Sequence, residues 1–151
     1  MSVYEELFRL SYEDTREPAA RLKSAVEAIH RARPRHQWTG VYLLRGEVLD
    51  LGASVGPETE HKRISIGQGL CGKAVTEKRD LDVGDVNSAP GYLACSIATK
   101  SEAIALIWRK GAIVGQIDID SDTQGEFGKD AMQSLAKMAE LLAPLAAELV
   151  Q

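Results

Sequence analysis

Two apolar segments joined by a short turn constrain the fold of this chain more than any other feature. Residues 103–108 and 112–119 are predicted strands, and Lys110-Gly111 is the turn between them. Together they predict an antiparallel β-hairpin. Residues 38–45 carry apolar side chains at both alternating positions, as in a strand that is covered on both faces. Gly46-Glu47 then turns the chain into a second hairpin, so the framework is expected to be an antiparallel sheet.

Helical periodicity flanks these strands. Residues 3–12 predict a short helix, and Pro18 suits the first turn of a second one, with Thr15 or Arg16 near its cap. Apolar residues recur at spacings of three and four over residues 129–150, which predicts a long terminal helix that Pro144 should kink or end. Residues 52–60 are predicted as a loop and 70–78 as a short helix. We therefore expect a single α+β domain over residues 1–151, with an antiparallel sheet flanked by N- and C-terminal helices.

Composition and charge exclude several classes of partner. The 151 residues carry a net charge of -4 without any block of like charge, which argues against nucleic acid and anionic membranes. No apolar run approaches the length of a membrane span, and the first residues do not have the pattern of a secretory signal. A cytoplasmic location is expected, and in that compartment the two cysteines would be thiols.

Those two thiols occur with three carboxyl residues that are candidates for chemistry. Cys71 opens the short helix, whose dipole would favour a thiolate, while Cys95 follows a Pro-Gly turn. Asp118 and Asp120 should point to the same side of a strand, where we expect one of them to keep its proton and act as an acid. Glu102 begins the preceding strand. The alternative interpretation is that the cysteines are buried packing residues and that the acids form a solvated strand face.

Metal and phosphate sites have less support. His30, His36 and His61 are combined neither with Cys-x-x-Cys nor with paired-histidine spacing, so no metal site is predicted. The Gly67-x-Gly69 pair lacks the Lys-Ser/Thr of a phosphate-binding loop.

Five short segments, in order and with similar gaps, match a known family. They are WTGVYLL at 38–44, IGQGLCG at 66–72, PGYLAC at 90–95, SE at 101–102 and GQIDIDS at 115–121. On these segments the chain resembles GAF domains, and specifically their free methionine-(R)-sulfoxide reductase branch.

The resemblance implies an oxidoreductase that reduces free methionine-(R)-sulfoxide in a pocket on one face of the sheet. It needs no cofactor, and thioredoxin is the implied reductant. The residue matching the usual nucleophile is Cys95, and Cys71 is the internal candidate for the resolving thiol. The implied substrate contacts are the walls Trp38 and Tyr42, the latter through its hydroxyl, and the carboxylates Glu102, Asp118 and Asp120.

One position departs from the family pattern. The third cysteine that is usual in the family, ten residues before Cys71, is His61 here. Two other interpretations therefore remain open at this point. The first is a small-ligand binding or sensor domain without enzymatic activity, and the second is a module that forms homodimers through its helices.

Overall fold

A computed structural model describes residues 1–33, 37–92 and 98–151. Its elements, in chain order, are α1 (Val3–Tyr12), α2 (Pro18–Ala32), β1 (Trp38–Arg45), β2 (Val48–Val55), β3 (Arg63–Ser65), α3 (Gly69–Glu77), β4 (Leu81–Val83), a 3₁₀ turn (Val86–Ser88), β5 (Ser101–Arg109), β6 (Ala112–Ser121) and α4 (Lys129–Val150).

The strands of these ranges form one six-stranded antiparallel sheet in the order β3-β2-β1-β6-β5-β4. Both predicted hairpins are present, and they meet where β1 pairs with β6. The central strands β1, β5 and β6 are buried on both faces over most of their length. The predicted α+β class with an antiparallel sheet is therefore confirmed.

One strand is longer than its sequence indicates. Residues 52–60 were expected to form a loop, but β2 continues to Val55 and pairs there with Thr39. The register shifts because Val41 pairs with Ala53 and Tyr42 with Leu51, which leaves Gly52 as the extra residue of a β-bulge. The glycine thus marks a bulge inside the strand, and the prediction of a loop from residue 52 is wrong.

The first face of the sheet is covered by α1, α2 and α4. Alternate residues of β6, Ile117 and Ile119, are fully buried against apolar side chains of these helices, including Ile29 and Leu142. This is the larger core, and burying it provides the main drive for folding. Prediction placed the helices on this face, and the structure agrees.

The second face carries α3. Tyr42, Leu49, Ile104 and Leu106 project from the strands and pack against α3, which contributes Cys71 and its apolar neighbours. The sequence predicts the short helix but not that it covers the opposite face. This second layer creates the enclosed space in which the candidate site lies.

The helix ends refine two expectations. The N-cap of α2 is Glu17, without a side-chain cap hydrogen bond, and Arg16 directly precedes it. Helix α4 continues past Pro144 to Val150, so its regular part does not end at the proline.

The apolar stripe of α4 packs against the protein's own core. Within the described residues, the large apolar side chains that are exposed are Met1, Phe8, Tyr12 and Trp108, and none of them lies on α4. The buried part of the stripe therefore serves the protein's own core, and homodimer formation through the helices stays a prediction. None of the helices in the described ranges combines the length and apolar character of a membrane span.

Candidate active site

A small pocket lies between α3 and the centre of the sheet. Its cavity volume is about 10 Å³, which is room for about one water molecule. Its lining residues are Tyr42, His61, Ile64, Gln68, Gly69, Leu70, Cys71, Glu102 and Asp118. The side chains that line the pocket therefore nearly fill it, and a free amino acid would enter only if the pocket widened.

Cys71 is held against the sheet by a hydrogen bond from its thiol. The Gly67-Gln68-Gly69 connection turns the chain from β3 into α3, with both glycines in the left-handed region. Cys71 is the third residue of the helix and is only 6% exposed. Its Sγ donates to Oδ2 of Asp118 at 3.3 Å. The cysteine is therefore a buried thiol that is paired with a carboxyl group.

Three carboxyl side chains are buried beside this thiol. Asp118 and Asp120 are each 1% exposed and Glu102 is 4% exposed, which rules out the alternative of a solvated strand face. Asp118 and Asp120 share a face of β6, as predicted, and Glu102 on β5 pairs directly with Asp120. Burial of three carboxyl groups so close together is costly unless protons or a cationic ligand compensate.

Two of these carboxyl groups interact with each other. The carboxyl groups of Glu102 and Asp118 are hydrogen-bonded to each other, and an ionised carboxylate can only accept. Burial raises the pKa of Asp118, while hydrogen bonds from Glu102 and Cys71 oppose that shift. Burial therefore favours the protonated form of Asp118, the form that could act as an acid.

The same surroundings change the expectation for Cys71. Its place in the first turn of α3 predicted a thiolate, but burial raises its pKa well above the usual value. The nearby charges of Asp118 and Glu102 raise this pKa further. The prediction of a thiolate favoured by the helix dipole is therefore wrong, because desolvation and two carboxyl groups outweigh the dipole.

Tyr42 and Trp38 lie on the same face of β1, with ring centroids 6.2 Å apart. The Tyr42 ring lines the pocket, and its hydroxyl donates to the backbone carbonyl of His61 at 2.7 Å. Trp38 is buried in the same core and pairs across the sheet with Asp120. In the part of the chain that the structure describes, the residues that line the pocket do not include Trp38 or Asp120. The structure therefore brings Tyr42, Cys71, Glu102 and Asp118 together at the pocket. Trp38 and Asp120 pair with each other on the neighbouring part of the sheet.

Known proteins share both this fold and much of this sequence, although no family model matches the chain. A solved type II free methionine-R-sulfoxide reductase from Thermoplasma acidophilum is 37% identical, with a TM-score of 0.84 over 87% of this chain and 93% of that one. The free methionine-R-sulfoxide reductase of Neisseria meningitidis, solved with its substrate, is 26% identical, with a TM-score of 0.87 over 99% and 90% of the two chains. The free methionine-R-sulfoxide reductase of Escherichia coli is 35% identical over 105 residues, or 70% of this chain and 63% of that protein. This chain belongs to the free methionine-R-sulfoxide reductase family of GAF-fold proteins.

The nucleophile that this family membership implies cannot be placed. Cys95 lies in the segment 93–97, and His36 lies in the segment 34–36, both outside the described residues. His61, at the position of the usual third cysteine, lines the pocket next to Tyr42. Since the sequence has two cysteines in all, Cys71 is the remaining thiol for a reductase of this family.

Sequence reasoning missed one buried polar residue of the site. Gln116 on β6 is fully buried, and its Nε2 donates to the backbone carbonyl of Cys71 at 3.0 Å. The signal was available, because Gln116, Asp118 and Asp120 alternate and must share one face of the strand. A polar residue in the middle of an otherwise apolar strand was the indication.

The site also has a donor set for a metal ion. One ligand atom from each of Cys71, Glu102 and Asp118 lies within 4.8 Å of the other two. A thiolate with two carboxylates is a set that zinc accepts, provided all three lose their protons. Sequence spacing gave no indication of this set, because its members come from three separate elements of the fold.

Proposed function

We propose that this chain reduces free methionine-(R)-sulfoxide to methionine, with Cys95 as the nucleophile and Cys71 as the resolving thiol. The observation that carries the proposal is the buried hydrogen bond from Cys71 to Asp118, in a pocket that also contains Glu102 and Tyr42. The solved relative from Thermoplasma acidophilum, named as a reductase of this kind, supports it at 37% identity.

The buried carboxyl groups would recognise the free amino acid. An ammonium group that enters the pocket would restore the charge balance that burial of Glu102, Asp118 and Asp120 disturbs. A methionine sulfoxide within a peptide has no ammonium group there. Specificity for the free amino acid follows from charge.

The first chemical step transfers oxygen from the substrate to Cys95. The thiolate of Cys95 attacks the sulfoxide sulfur, the oxygen is protonated, and methionine leaves as Cys95 becomes a sulfenic acid. Asp118, whose burial favours the protonated form, would supply that proton. The hydroxyl of Tyr42 holds the carbonyl of His61, so we assign Tyr42 to the pocket wall and not to proton transfer.

The second step closes a disulfide. The thiol of Cys71 attacks the sulfur of the sulfenic acid, and the oxygen leaves as water. An external dithiol then reduces the disulfide, and we propose thioredoxin for this role. Both cysteines must begin each cycle as thiols, which supports a location in the reducing cytoplasm.

Turnover with isolated substrates tests the proposal. We expect methionine release from free methionine-(R)-sulfoxide with a dithiol or thioredoxin. We expect little release from the (S) epimer or from N-acetylmethionine-(R)-sulfoxide, whose amine is blocked. Cys95→Ser should abolish release by removing the nucleophile. Asp122→Asn changes an exposed acid just beyond the end of β6 and serves as the control that keeps activity.

A sensor domain would give a different result. Tight calorimetric binding of methionine or its sulfoxides, without any methionine release at any dithiol concentration, would reject the reductase and favour ligand sensing. Turnover of the N-acetylated substrate as fast as that of the free one would reject the role of the carboxyl groups in recognition.

Homodimer formation through the helices has a candidate surface on α1. We propose α1, because Phe8 and Tyr12 stack on its exposed side with ring centroids 4.6 Å apart, while the stripe of α4 is buried. Light scattering of the wild type and of Phe8→Glu tests this. A dimer that Phe8→Glu does not weaken, or a monomer at high concentration, contradicts it.

A further inference from the structure

Two side chains of β6 bind Cys71, one at its backbone carbonyl and the other at its thiol. Gln116 donates its amide to the Cys71 carbonyl at 3.0 Å, and two residues later Asp118 accepts from the Cys71 thiol at 3.3 Å. Both contacts are buried. One strand therefore fixes the backbone of the cysteine as well as the direction of its sulfur.

The first turn of α3 has no side-chain cap. The helix has nine residues and its N-cap, Gln68, makes no side-chain cap hydrogen bond, so it depends on packing for its position. Gly67 and Gly69 before it permit several backbone directions. A hydrogen bond from the rigid centre of the sheet removes that freedom at the residue that carries the thiol.

Stability alone does not account for a glutamine here. Its Oε1 is buried and makes no hydrogen bond within the described residues, which costs free energy. The Cys71 carbonyl lies in the first turn of a helix, where the amide four residues on already serves as its partner. An apolar side chain of similar size would avoid the unsatisfied oxygen, so the amide has a use other than stability.

We propose that Gln116 is a positioning residue for the resolving step. This inference rests on the proposed function, in which Cys71 attacks the sulfenic acid of Cys95. By fixing the Cys71 backbone, Gln116 keeps the thiol on Asp118, which takes the thiol proton as the sulfur–sulfur bond forms. The same proton is passed to the departing oxygen, which leaves as water, so atoms and charge balance.

Separating the two chemical steps tests the inference. Free methionine-(R)-sulfoxide is mixed with reduced full-length protein without any dithiol, and the quenched samples are analysed for methionine and for free thiols. In Gln116→Met, methionine release should stay within about twofold of wild type, because Cys95 is unaffected. Loss of the second thiol should slow by about tenfold or more, because the attacking sulfur is no longer held in position.

Gln116→Glu should make thiol loss depend on pH, which a purely structural role of Gln116 would not. A glutamic acid of the same shape can donate to the Cys71 carbonyl only while it is protonated. Thiol loss should therefore be near the wild-type rate at acid pH and fall, relative to wild type, as pH rises and the new carboxyl group ionises. Gln133→Met, an exposed glutamine on α4, is the matched control and should leave both steps unchanged.

The outcomes separate failure of the inference from failure of the proposed function. A wild-type protein that releases no methionine rejects the function. Normal methionine release with unchanged thiol loss in Gln116→Met, or a Gln116→Glu profile parallel to wild type, overturns the role of Gln116. Thermal unfolding identifies any loss of fold in Gln116→Met, and the pH profile of Gln116→Glu then decides.

Discussion

Burial of Asp118 lowers the stability of the fold at neutral pH, but it places a carboxyl group where the chemistry needs one. Its side chain is buried, accepts from the Cys71 thiol and shares a hydrogen bond with Glu102. Burial raises its pKa, so the folded protein holds a proton that the unfolded chain releases at lower pH. The contribution of this group to stability is thus present below the ordinary pKa of an aspartate and is lost as pH rises through the raised value.

Asp118→Asn should therefore stabilise the protein while it removes activity. We expect the free energy of unfolding at pH 7 to rise by about 1.4 kcal/mol for each unit by which the pKa is raised. Turnover should fall by about a hundredfold or more, because the proton that Asp118 supplies is lost. Urea unfolding from pH 4 to 8 measures the first effect, which should grow with pH, and methionine release measures the second.

The matched control for this prediction is Asp122→Asn, which makes the same change at an exposed position. It should alter neither quantity measurably. An Asp118→Asn variant that is less stable than wild type at pH 7, or equally active, would contradict the account of the carboxyl pair.

Cys71 should show its raised pKa directly. In Cys95→Ser it is the remaining cysteine of the chain, so its alkylation by iodoacetamide can be followed alone. The rate should rise only well above pH 8.5, the approximate pKa of a free thiol, because burial and the neighbouring carboxyl groups disfavour the thiolate. Adding Asp118→Asn should move the midpoint to lower pH. A midpoint below that of a free thiol contradicts the prediction.

The site residues could be predicted from sequence only in part. The alternation of Asp118 with Asp120 fixed a shared face, and the family segments selected Tyr42, Glu102 and Cys71, which the structure brings together. The sequence predicted that Asp118 or Asp120 keeps its proton, but it could not predict the interaction of Asp118 with Glu102. That interaction depends on the distance between two separate strands and on the burial that α3 provides.

At the scale of elements, the close packing of α3 against the end of β3 sets the position of Cys71. Gly72 lies where the helix comes closest to the chain that precedes it. A Cβ at this position would lie 2.6 Å from the amide nitrogen of Gly67 and 2.8 Å from the carbonyl oxygen of Ser65. Both are backbone atoms that cannot rotate away, so a glycine is needed for the helix to sit at this depth.

Gly72→Ala should push α3 away from the sheet. We expect a loss of about 1–3 kcal/mol in the free energy of unfolding, the usual cost of overpacking, together with a loss of turnover as Cys71 leaves Asp118. Gly84→Ala is the comparison, since its new Cβ would meet its nearest neighbour at 3.8 Å. Chemical denaturation of the two variants checks this, and equal stabilities would show that α3 can shift freely.

Local pattern predicted the elements well where the sequence is periodic. Helices α1 and α4 have the predicted bounds, and the strands of both hairpins occur as expected. The predicted end of β2 is wrong because the sequence interpretation takes Gly52 as the beginning of a loop. Whether a glycine ends a strand or makes a bulge depends on its partner strand, and here β1 pairs with residues on both sides of Gly52.

At the scale of the whole molecule, Arg21 ties the helical layer together. Its guanidinium donates to the carbonyls of Arg16 and Leu10 and makes two bonds of 3.0 Å to the carboxylate of Glu148. These contacts join α2 to the end of α1, the connecting loop and α4. A mostly buried charge with all these partners is well satisfied.

Arg21→Met should loosen this layer without touching the pocket. We expect a loss of about 1–3 kcal/mol in the free energy of unfolding, because buried carbonyls lose a charged donor. Substrate affinity should be unchanged. Glu148→Gln removes only the half-exposed partner and should cost about 1 kcal/mol or less. Thermal unfolding of both variants, together with substrate titrations, checks this. A larger loss of stability in Glu148→Gln than in Arg21→Met would contradict the role given to Arg21.

The global arrangement could be predicted for one face of the sheet only. The apolar periodicity of α2 and α4 matches that of alternate residues in β6, which predicts one helical layer. The second layer could not be predicted, because α3 is short and its position depends on turns and on Gln116. The pocket is a product of that second layer, so its existence follows from the family resemblance better than from the pattern.

The central claim is that one thiol takes the oxygen of free methionine-(R)-sulfoxide and that Cys71 then closes a disulfide. Intact-protein mass after mixing with one equivalent of substrate, without reductant, tests it most directly. The wild type should lose two hydrogens and yield one methionine per chain, whereas Cys71→Ser should gain one oxygen and yield the same methionine. An unchanged wild-type mass, or the same oxidised product from both proteins, would contradict it.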